Sequence, residues 1–141
     1  MENYSVNASI KINATAVQVW NVLTNPEKIS QFTGSKIQTD WKVGSAIRWT
    51  GEMQGTPYEN KGKVLEAKPN SLLRHSFWTG MGGDADEAEN YSEVSYTIKQ
   101  LESDTVELIY SRINIATEME AEMFQQHIQS MLEEIKRLSE E

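Results

Sequence analysis

The C-terminal stretch Thr117–Glu141 constrains the fold of this chain more than any other part of the sequence. Its apolar residues recur at steps of 3, 4 and 7, which places their side chains on one face of an α-helix. They are Met119, Met123, Phe124, Ile128, Met131, Leu132, Ile135 and Leu138. Thr117 followed by Glu120 predicts a capping box at the start of this helix. A helix of roughly two dozen residues is about 36 Å long, so it must lie across another element to bury its apolar face.

Most of the preceding sequence predicts β-strands, because apolar and polar residues alternate over short stretches that turn residues separate. The predicted strands cover residues 3–12, 37–41, 46–53, 58–67, 72–78, 93–99 and 106–115. Most of the connections between them are short, and short connections join antiparallel strands, whereas parallel strands need helical crossovers. The sequence therefore predicts an antiparallel meander.

Two short helices are predicted between the first and second strands. Thr15 with Gln18 forms a capping box for the first helix, and Asn25-Pro26-Glu27 provides the cap and first turn of the second. We therefore expect a single α+β domain over residues 1–141. In it, a curved antiparallel sheet of roughly six to seven strands wraps around the long C-terminal helix.

Composition excludes several classes of protein. The chain has 141 residues, of which 38% are apolar and 24% charged, as expected for one globular core. Its net charge of −8 disfavours binding to nucleic acid, and it has no apolar run of the roughly 20 residues that membrane insertion needs. Without cysteine it has no disulfides, no thiolate chemistry and no Cys-ligated zinc. Since its start also lacks a signal-peptide pattern, we expect a cytoplasmic protein.

Several stretches, in this order, resemble the START-like (SRPBCC) superfamily, whose helix-grip fold is that of the major birch pollen allergen. The matching stretches are Ile10-Lys11-Ile12-Asn13-Ala14, Val19-Trp20-Asn21-Val22-Leu23-Thr24-Asn25-Pro26-Glu27, Gly44 after Trp41-Lys42-Val43, Gly62-Lys63-Val64 before Pro69, and Leu73. More narrowly, the chain resembles the bacterial family named for homology to the activator of the heat-shock protein 90 ATPase. The resemblance covers essentially the whole chain and implies the helix-grip fold, in which the gap between sheet and helix is a natural ligand pocket.

The chain departs from the habit of that family in two places. In the middle of the last helix, where the family usually has a Trp, this chain has Ile128, Leu132 and Ile135. Phe32 likewise stands where many members have Trp. These differences reshape the expected pocket.

Alternation predicts that large side chains from several strands face the C-terminal helix. The strand candidates are Trp49, Met53, Tyr58, His75, Phe77, Tyr96 and Tyr110, and the helix candidates are Met119, Met123, Phe124 and Met131. One interpretation is an ordinary core that these side chains fill. The other is a cavity whose aromatic and methionine wall binds an adaptable apolar ligand.

No residue is predicted to be catalytic, and no cofactor or metal is expected. The sequence has no nucleophile motif, phosphate-binding loop or dinucleotide fingerprint. His75 and His127 lack a third ligand at metal-binding spacing, so we expect His75 to be a hydrogen-bonded histidine in the core or at its rim, with acid–base duty as the alternative. Arg74 and Arg112 are candidates for anchoring a ligand carboxylate, but we expect both to pair with surface acids.

The acidic loop over residues 79–90 is the least periodic stretch of the sequence. Asp84, Asp86 and Glu89 are potential calcium ligands, but their spacing lacks the glycine and distal glutamate of a calcium-binding helix-loop-helix motif. The loop is therefore predicted to be a solvated surface segment, with a gate over the cavity as its functional alternative.

Three functions follow from these features and from the resemblance. The preferred hypothesis is binding of a hydrophobic or amphipathic small molecule, such as a lipid-like or aromatic metabolite, between the sheet and the C-terminal helix. The second, which the family name implies, is a chaperone-ATPase activator that takes part in the stress response by binding a protein. The third is a cyclase- or hydrolase-like enzyme that uses polar residues of the same cavity, and the groups to test are Tyr58, His75, Tyr96 and Tyr110. At least two of them clustered around a pocket, with a histidine near a carboxylate, would favour this hypothesis, and their dispersal through a packed core would disfavour it. The identity of the ligand and the oligomeric state stay open.

Overall fold

The computed structural model describes residues 4–80, 85–115 and 117–141. Its elements are β1 (Tyr4–Ile12), α1 (Ala16–Thr24), α2 (Pro26–Thr33), β2 (Lys36–Gln38), β3 (Ala46–Met53), β4 (Thr56–Lys68), β5 (Leu72–Thr79), β6 (Ser92–Glu102), β7 (Thr105–Ile115) and α3 (Glu118–Glu140). A 3-10 turn at Ala88–Asn90 lies between β5 and β6. The predicted fold class and the order of the elements are confirmed.

The seven strands form one antiparallel sheet in the order β1-β7-β6-β5-β4-β3-β2. The first strand therefore lies at one edge, beside the last strand, and β2 lies at the other edge. The register shifts in β4 between Val64 and Glu66, which pair with His75 and Arg74 of β5. Such a bulge bends the strand and increases its twist, so it helps the sheet to curve around a helix.

Capping residues set the two short helices. Thr15 Oγ1 accepts a hydrogen bond from the Gln18 backbone N–H at 3.2 Å, and Gln18 Oε1 accepts one from the Thr15 backbone N–H at 2.8 Å, so the predicted capping box is present. Asn25 ends α1 and also caps α2, because its Oδ1 accepts from the Glu27 N–H at 2.9 Å. Gly34, at φ 77°, ends α2. The two helices thus meet at a single residue.

Helix α3 is held by its C-terminal half. Ile128, Leu132, Ile135 and Leu138 are all at most 4% exposed. The helix packs mainly against β1 and α1, and only lightly against α2 and β7. At its start, Thr117 Oγ1 accepts from the Glu120 N–H at 3.2 Å, which is the hydroxyl half of the predicted capping box.

The N-terminal half of α3 departs from the prediction. Met119 is 80% exposed and Met123 is 47% exposed, so the expectation that they face the sheet is wrong. The apolar spacing is correct for a helix, but the fully buried positions on α3 begin only at Ile128.

Buried apolar residues form two clusters. The larger joins β1, β5, β6 and β7 to α1 and α3, and includes Val6, Leu73, Leu108 and Leu132. The smaller joins α2 to β2, β3 and β4, and consists of Ile29, Ile37, Ile47, Trp49 and Val64. Partly buried aromatic residues, among them Phe32, Trp41 and Phe77, touch both clusters. The core is therefore divided between the two ends of the sheet.

Replacing Leu132 with Ala should lower the free energy of unfolding by about 2–5 kcal/mol, because the side chain is fully buried where α3 docks. Leu101→Ala makes the same chemical change at a residue that is 45% exposed, and should cost about 0.5 kcal/mol or less. Urea unfolding of the two variants measures both values. Equal losses would contradict the docking described for α3.

Candidate functional site

A cavity of about 530 Å³ lies between the two apolar clusters, under α3 and over the middle of the sheet. Its wall takes Leu73, Val94 and Ile128 from the larger cluster, and Ile29 and Ile37 from the smaller one. Four of its lining residues are exposed, so the cavity opens to the surface between the end of α2, the end of β3 and the middle of α3. These four are Thr33, Met53, His127 and Ser130.

Eight of the ten residues predicted to bind a ligand line this cavity. They are Trp49, Met53, Tyr58, His75, Phe77, Tyr96, Tyr110 and Phe124. Met131, also predicted to face inward, lines it as well. Met119 and Met123 do not belong to its wall, since both lie on the exposed half of α3. The strand alternation thus located the wall, and the ligand-binding role of these residues stays a prediction.

Aromatic rings pack against one another along the floor of the cavity. The ring centroid of Trp49 lies 5.2 Å from that of His75 and 5.1 Å from that of Phe77. Tyr96 and Tyr110 form an edge-to-face pair with centroids 5.3 Å apart. These separations are within the range of favourable aromatic contacts, which hold the rings in place without filling the space above them.

The position of Tyr58 depends on Gly51, its cross-strand partner in β3. A Cβ atom at position 51 would lie 2.6 Å from the Tyr58 hydroxyl oxygen, so only glycine leaves room for this ring. The hydroxyl in turn lies 2.6 Å from Ser35 Oγ, at hydrogen-bond distance. This contact ties β4 to the segment after α2 at the mouth of the cavity.

His75 is buried and neutral. Its Nδ1 lies 2.9 Å from the Ser76 backbone oxygen, and because a carbonyl only accepts, Nδ1 carries the proton and Nε2 is left as an acceptor. Burial lowers the pKa of His75 from its usual 6.5 to about 4, while the bond to Ser76 opposes this shift and the charge of Arg112 adds to it. Of the two features that would favour an enzyme, the clustering is present, because Tyr58, His75, Tyr96 and Tyr110 all line the cavity. The Nδ1 partner of His75, however, is a backbone carbonyl and not a carboxylate.

Arg112 is held between two aromatic rings at the wall of the cavity. Its guanidinium carbon lies 4.7 Å from the ring centroid of Phe77 and 3.9 Å from that of Phe124. Its Nε donates to Ser92 Oγ at 3.0 Å. None of the carboxylates in the described residues lies within 4.0 Å of it, so the expected pairing of Arg112 with a surface acid is not found among them. The stacked rings hold it where no such acid is in reach.

The other polar candidates of the sequence have surface partners. Arg74 donates to Glu66 at 2.7 Å and to Glu93 at 3.5 Å, as expected. Asp86 accepts from Lys61 at 3.1 Å and from the Tyr91 hydroxyl. Asp84 lies outside the described residues. Within the described ranges there is no group of three or more potential metal ligands, and no helix is long and apolar enough to cross a membrane.

Sequence reasoning missed three lining residues that matter to the site, namely Trp41, Ser35 and Asn60. Trp41 was predicted to end a strand, but β2 stops at Gln38 and Trp41 adopts a positive φ of 61°, from which its indole N–H donates to Thr24 O at 2.9 Å. Phe32, which the comparison with the family singled out, lies on α2 and lines the cavity. Ser35 follows that helix. Asn60 shares the inward face of β4, but its polarity gave no sign of a wall residue.

Asn60 has an orphaned acceptor. The residue is 9% exposed, and its side-chain oxygen Oδ1 has no hydrogen-bond partner among the described residues. A buried acceptor without a donor is costly, so this oxygen is a natural partner for an N–H or O–H group in the cavity.

Comparison with known proteins identifies the family. The model of the family described as Activator of Hsp90 ATPase homolog 1-like protein matches residues 13–140. The chain belongs to this family. No curated protein matches the sequence.

Several solved structures share the fold of this protein. The solution structure of ChR145 from Cytophaga hutchinsonii is 35% identical, with a TM-score of 0.83, over 97% of this chain and 94% of that one. The Aha1 dimer from Colwellia psychrerythraea is 18% identical, with a TM-score of 0.75, over 97% and 96%. DynU16, a putative protein of the dynemicin biosynthetic locus, is 15% identical, with a TM-score of 0.75, over 94% of this chain and 46% of that one. At the two lower identities, the likeness shows the fold alone.

The buried His75 should lower the free energy of unfolding of this protein in mild acid. Because its pKa is about 4 when folded and 6.5 ordinarily, the unfolded chain binds the extra proton between these values, and the free energy of unfolding falls as the pH drops through that window. Between pH 6.5 and pH 4.5, the free energy of unfolding of the His75→Gln variant should fall by roughly 2–3 kcal/mol less than that of the wild type. Urea unfolding at the two pH values measures it.

The exposed His127 provides the control for this experiment. His127→Gln should keep the pH dependence of the wild type. If His75→Gln kept it as well, the burial described for His75 would not govern its protonation.

Proposed function

We propose that this protein binds a hydrophobic or amphipathic small molecule in the cavity between the sheet and α3. The observation that carries the proposal is the cavity itself, because its volume of about 530 Å³ lies within the range typical of small-molecule sites. Membership of the family is consistent with a ligand-binding module.

The lining supports an apolar body for this ligand. Trp41, Trp49, Phe77 and Tyr96 offer large faces that gain contact when an apolar or aromatic group covers them. Met131 adds an adaptable wall on α3. A few polar groups interrupt this surface, which is the usual composition of a site that both holds and orients its ligand.

The mouth of the cavity offers a direct test. Ser130 lies on the exposed surface of α3 and lines the opening, whereas its neighbour Gln129 is exposed but does not line it. Ser130→Trp should obstruct the opening and weaken binding of the neutral fluorescent probe N-phenylnaphthylamine by about tenfold or more, a loss of about 1.4 kcal/mol. A fluorescence titration measures this affinity.

Gln129→Trp is the matched control, since it adds the same bulk to the same helix outside the cavity. It should bind the probe as the wild type does. Failure of the wild type to bind the probe would reject the proposed function, and equal weakening in the two variants would move the binding site elsewhere.

A second candidate function is protein binding, as in chaperone activation. It is favoured by Met119 and Met123, which lie one turn apart on α3 and are 80% and 47% exposed. Exposed methionines adapt to varied apolar partners, so they suit a contact surface. This candidate rests on the surface of α3 and is independent of the cavity.

On this second function, the protein should raise the steady-state ATPase rate of a bacterial heat-shock protein 90. Met119→Asp combined with Met123→Asp should reduce that stimulation by about tenfold, because two apolar contacts would be lost. Leu101→Asp alters an exposed apolar residue on the β6–β7 hairpin and serves as the control. An unchanged ATPase rate with the wild type would remove this candidate.

A further inference from the structure

The small-molecule function proposed above leaves one feature of the cavity unexplained, the positively charged side chain of Arg112 in its wall. Of the described residues that line the cavity, only Arg112 and Glu134 carry a fixed charge, and Glu134 already accepts from Arg137. Arg112 has no such partner within the described residues. As far as the described residues go, the cavity therefore presents one positive charge without a carboxylate partner, in a chain whose net charge is −8.

The neighbours of Arg112 prepare it to bind an anion. Phe77 and Phe124 cover the guanidinium and restrict its motion, and Ser92 takes its Nε–H at 3.0 Å. A guanidinium has five N–H groups, so donors remain for a carboxylate or sulfonate, which it binds in a two-point geometry. Restricting the side chain beforehand reduces the entropy lost on binding.

The surroundings favour an anion bound at this point. His75 is neutral at pH 7, and burial raises the pKa of the Tyr96 and Tyr110 hydroxyls, so no negative group of the floor competes for Arg112. Because these groups lie in a partly buried wall, the attraction between Arg112 and an anion is stronger than it would be in water.

Asn60 is an independent sign of a polar ligand. Its unpartnered Oδ1 lines the same cavity and is buried, so a ligand N–H or O–H group would satisfy it. Ser92 and the Tyr110 hydroxyl use part of the donor capacity of Arg112. A purely hydrocarbon ligand would leave Asn60 Oδ1 and the remaining Arg112 donors without a ligand partner.

We propose that the ligand is an organic acid, with an apolar body held among the aromatic side chains and one carboxylate-type group bound by Arg112. Asn60 accepts a hydrogen bond from an N–H or O–H group on its body. This inference rests on the proposed small-molecule function and narrows it to one chemical class.

Two probes that share one scaffold test the proposal. Anilinonaphthalene sulfonate is N-phenylnaphthylamine with a sulfonate added, so the ratio of their dissociation constants isolates the anionic group. The wild type should bind the sulfonate about tenfold or more tightly than the neutral probe, and added salt should reduce that preference. Arg112→Gln should abolish the preference while it still binds the neutral probe.

Arg74→Gln is the matched control, because it removes the same charge from a residue that pairs with Glu66 and Glu93 outside the cavity. It should keep the wild-type ratio. Arg112→Lys keeps the charge but loses the planar fork, so it should retain part of the preference. If Arg112→Gln binds neither probe, the preference of Arg112→Lys for the sulfonate tests the proposal instead.

The outcomes separate the two proposals. If the wild type binds the neutral probe but does not prefer the sulfonate, the organic-acid inference is overturned and the small-molecule function stands. The inference also fails if Arg112→Gln keeps the preference, or if Arg112→Lys lacks it. If the wild type binds neither probe, the proposed function falls, and the inference falls with it.

Discussion

The docking of α3 through its C-terminal half is the interaction on which the rest of this structure depends. Ile128, Leu132 and Ile135 seal the helix against β1 and α1, at one end of the sheet. The sheet then curves away toward β2, where a separate apolar cluster packs under α2. The sheet is thus covered by α3 at its β1 end and by α2 at its β2 end, and a gap remains between these two packed regions. The residues packed at the two ends hold the walls of this gap in position without filling it. The cavity is thus a consequence of where the helix is anchored.

Periodicity predicted the faces of the elements but could not predict which parts of them would meet. The period of α3 is the same at Met119 as at Leu132, yet only the latter is covered, because coverage depends on docking between distant elements. Alternation placed Tyr110 inward, and Arg112, two residues later on the same strand, was not counted with it. The charge of Arg112 argued instead for a surface partner, and its stacking on Phe77 and Phe124 comes from three different elements. Trp41 was missed because its positive φ has no signature in side-chain pattern.

The fold and the chemistry of the cavity are specified by different residues. A structure 18% identical to this chain keeps the fold with a TM-score of 0.75, so the layout needs a pattern of apolar positions rather than particular side chains. The character of the site comes from a few exceptions to that pattern: a neutral His75, an Arg112 that is bonded to Ser92 but to no carboxylate of the described residues, and an Asn60 whose side-chain oxygen has no partner among them. Fold likeness alone therefore carries little information about the ligand, and the lining carries most of it.

The pairing of β1 with β7 has a consequence for the order in which the protein folds. Tyr4 pairs with Ile115, so this edge of the sheet joins residues about 100 positions apart, while β2 to β6 pair with near neighbours in the chain. Contacts of such long range form late, because a large loop must close before they stabilise the structure. Although β1 comes first in the chain, its neighbour in the sheet is the last strand, β7. Since α3 packs mainly on β1, the closure that pairs β1 with β7 also positions the helix that covers the cavity.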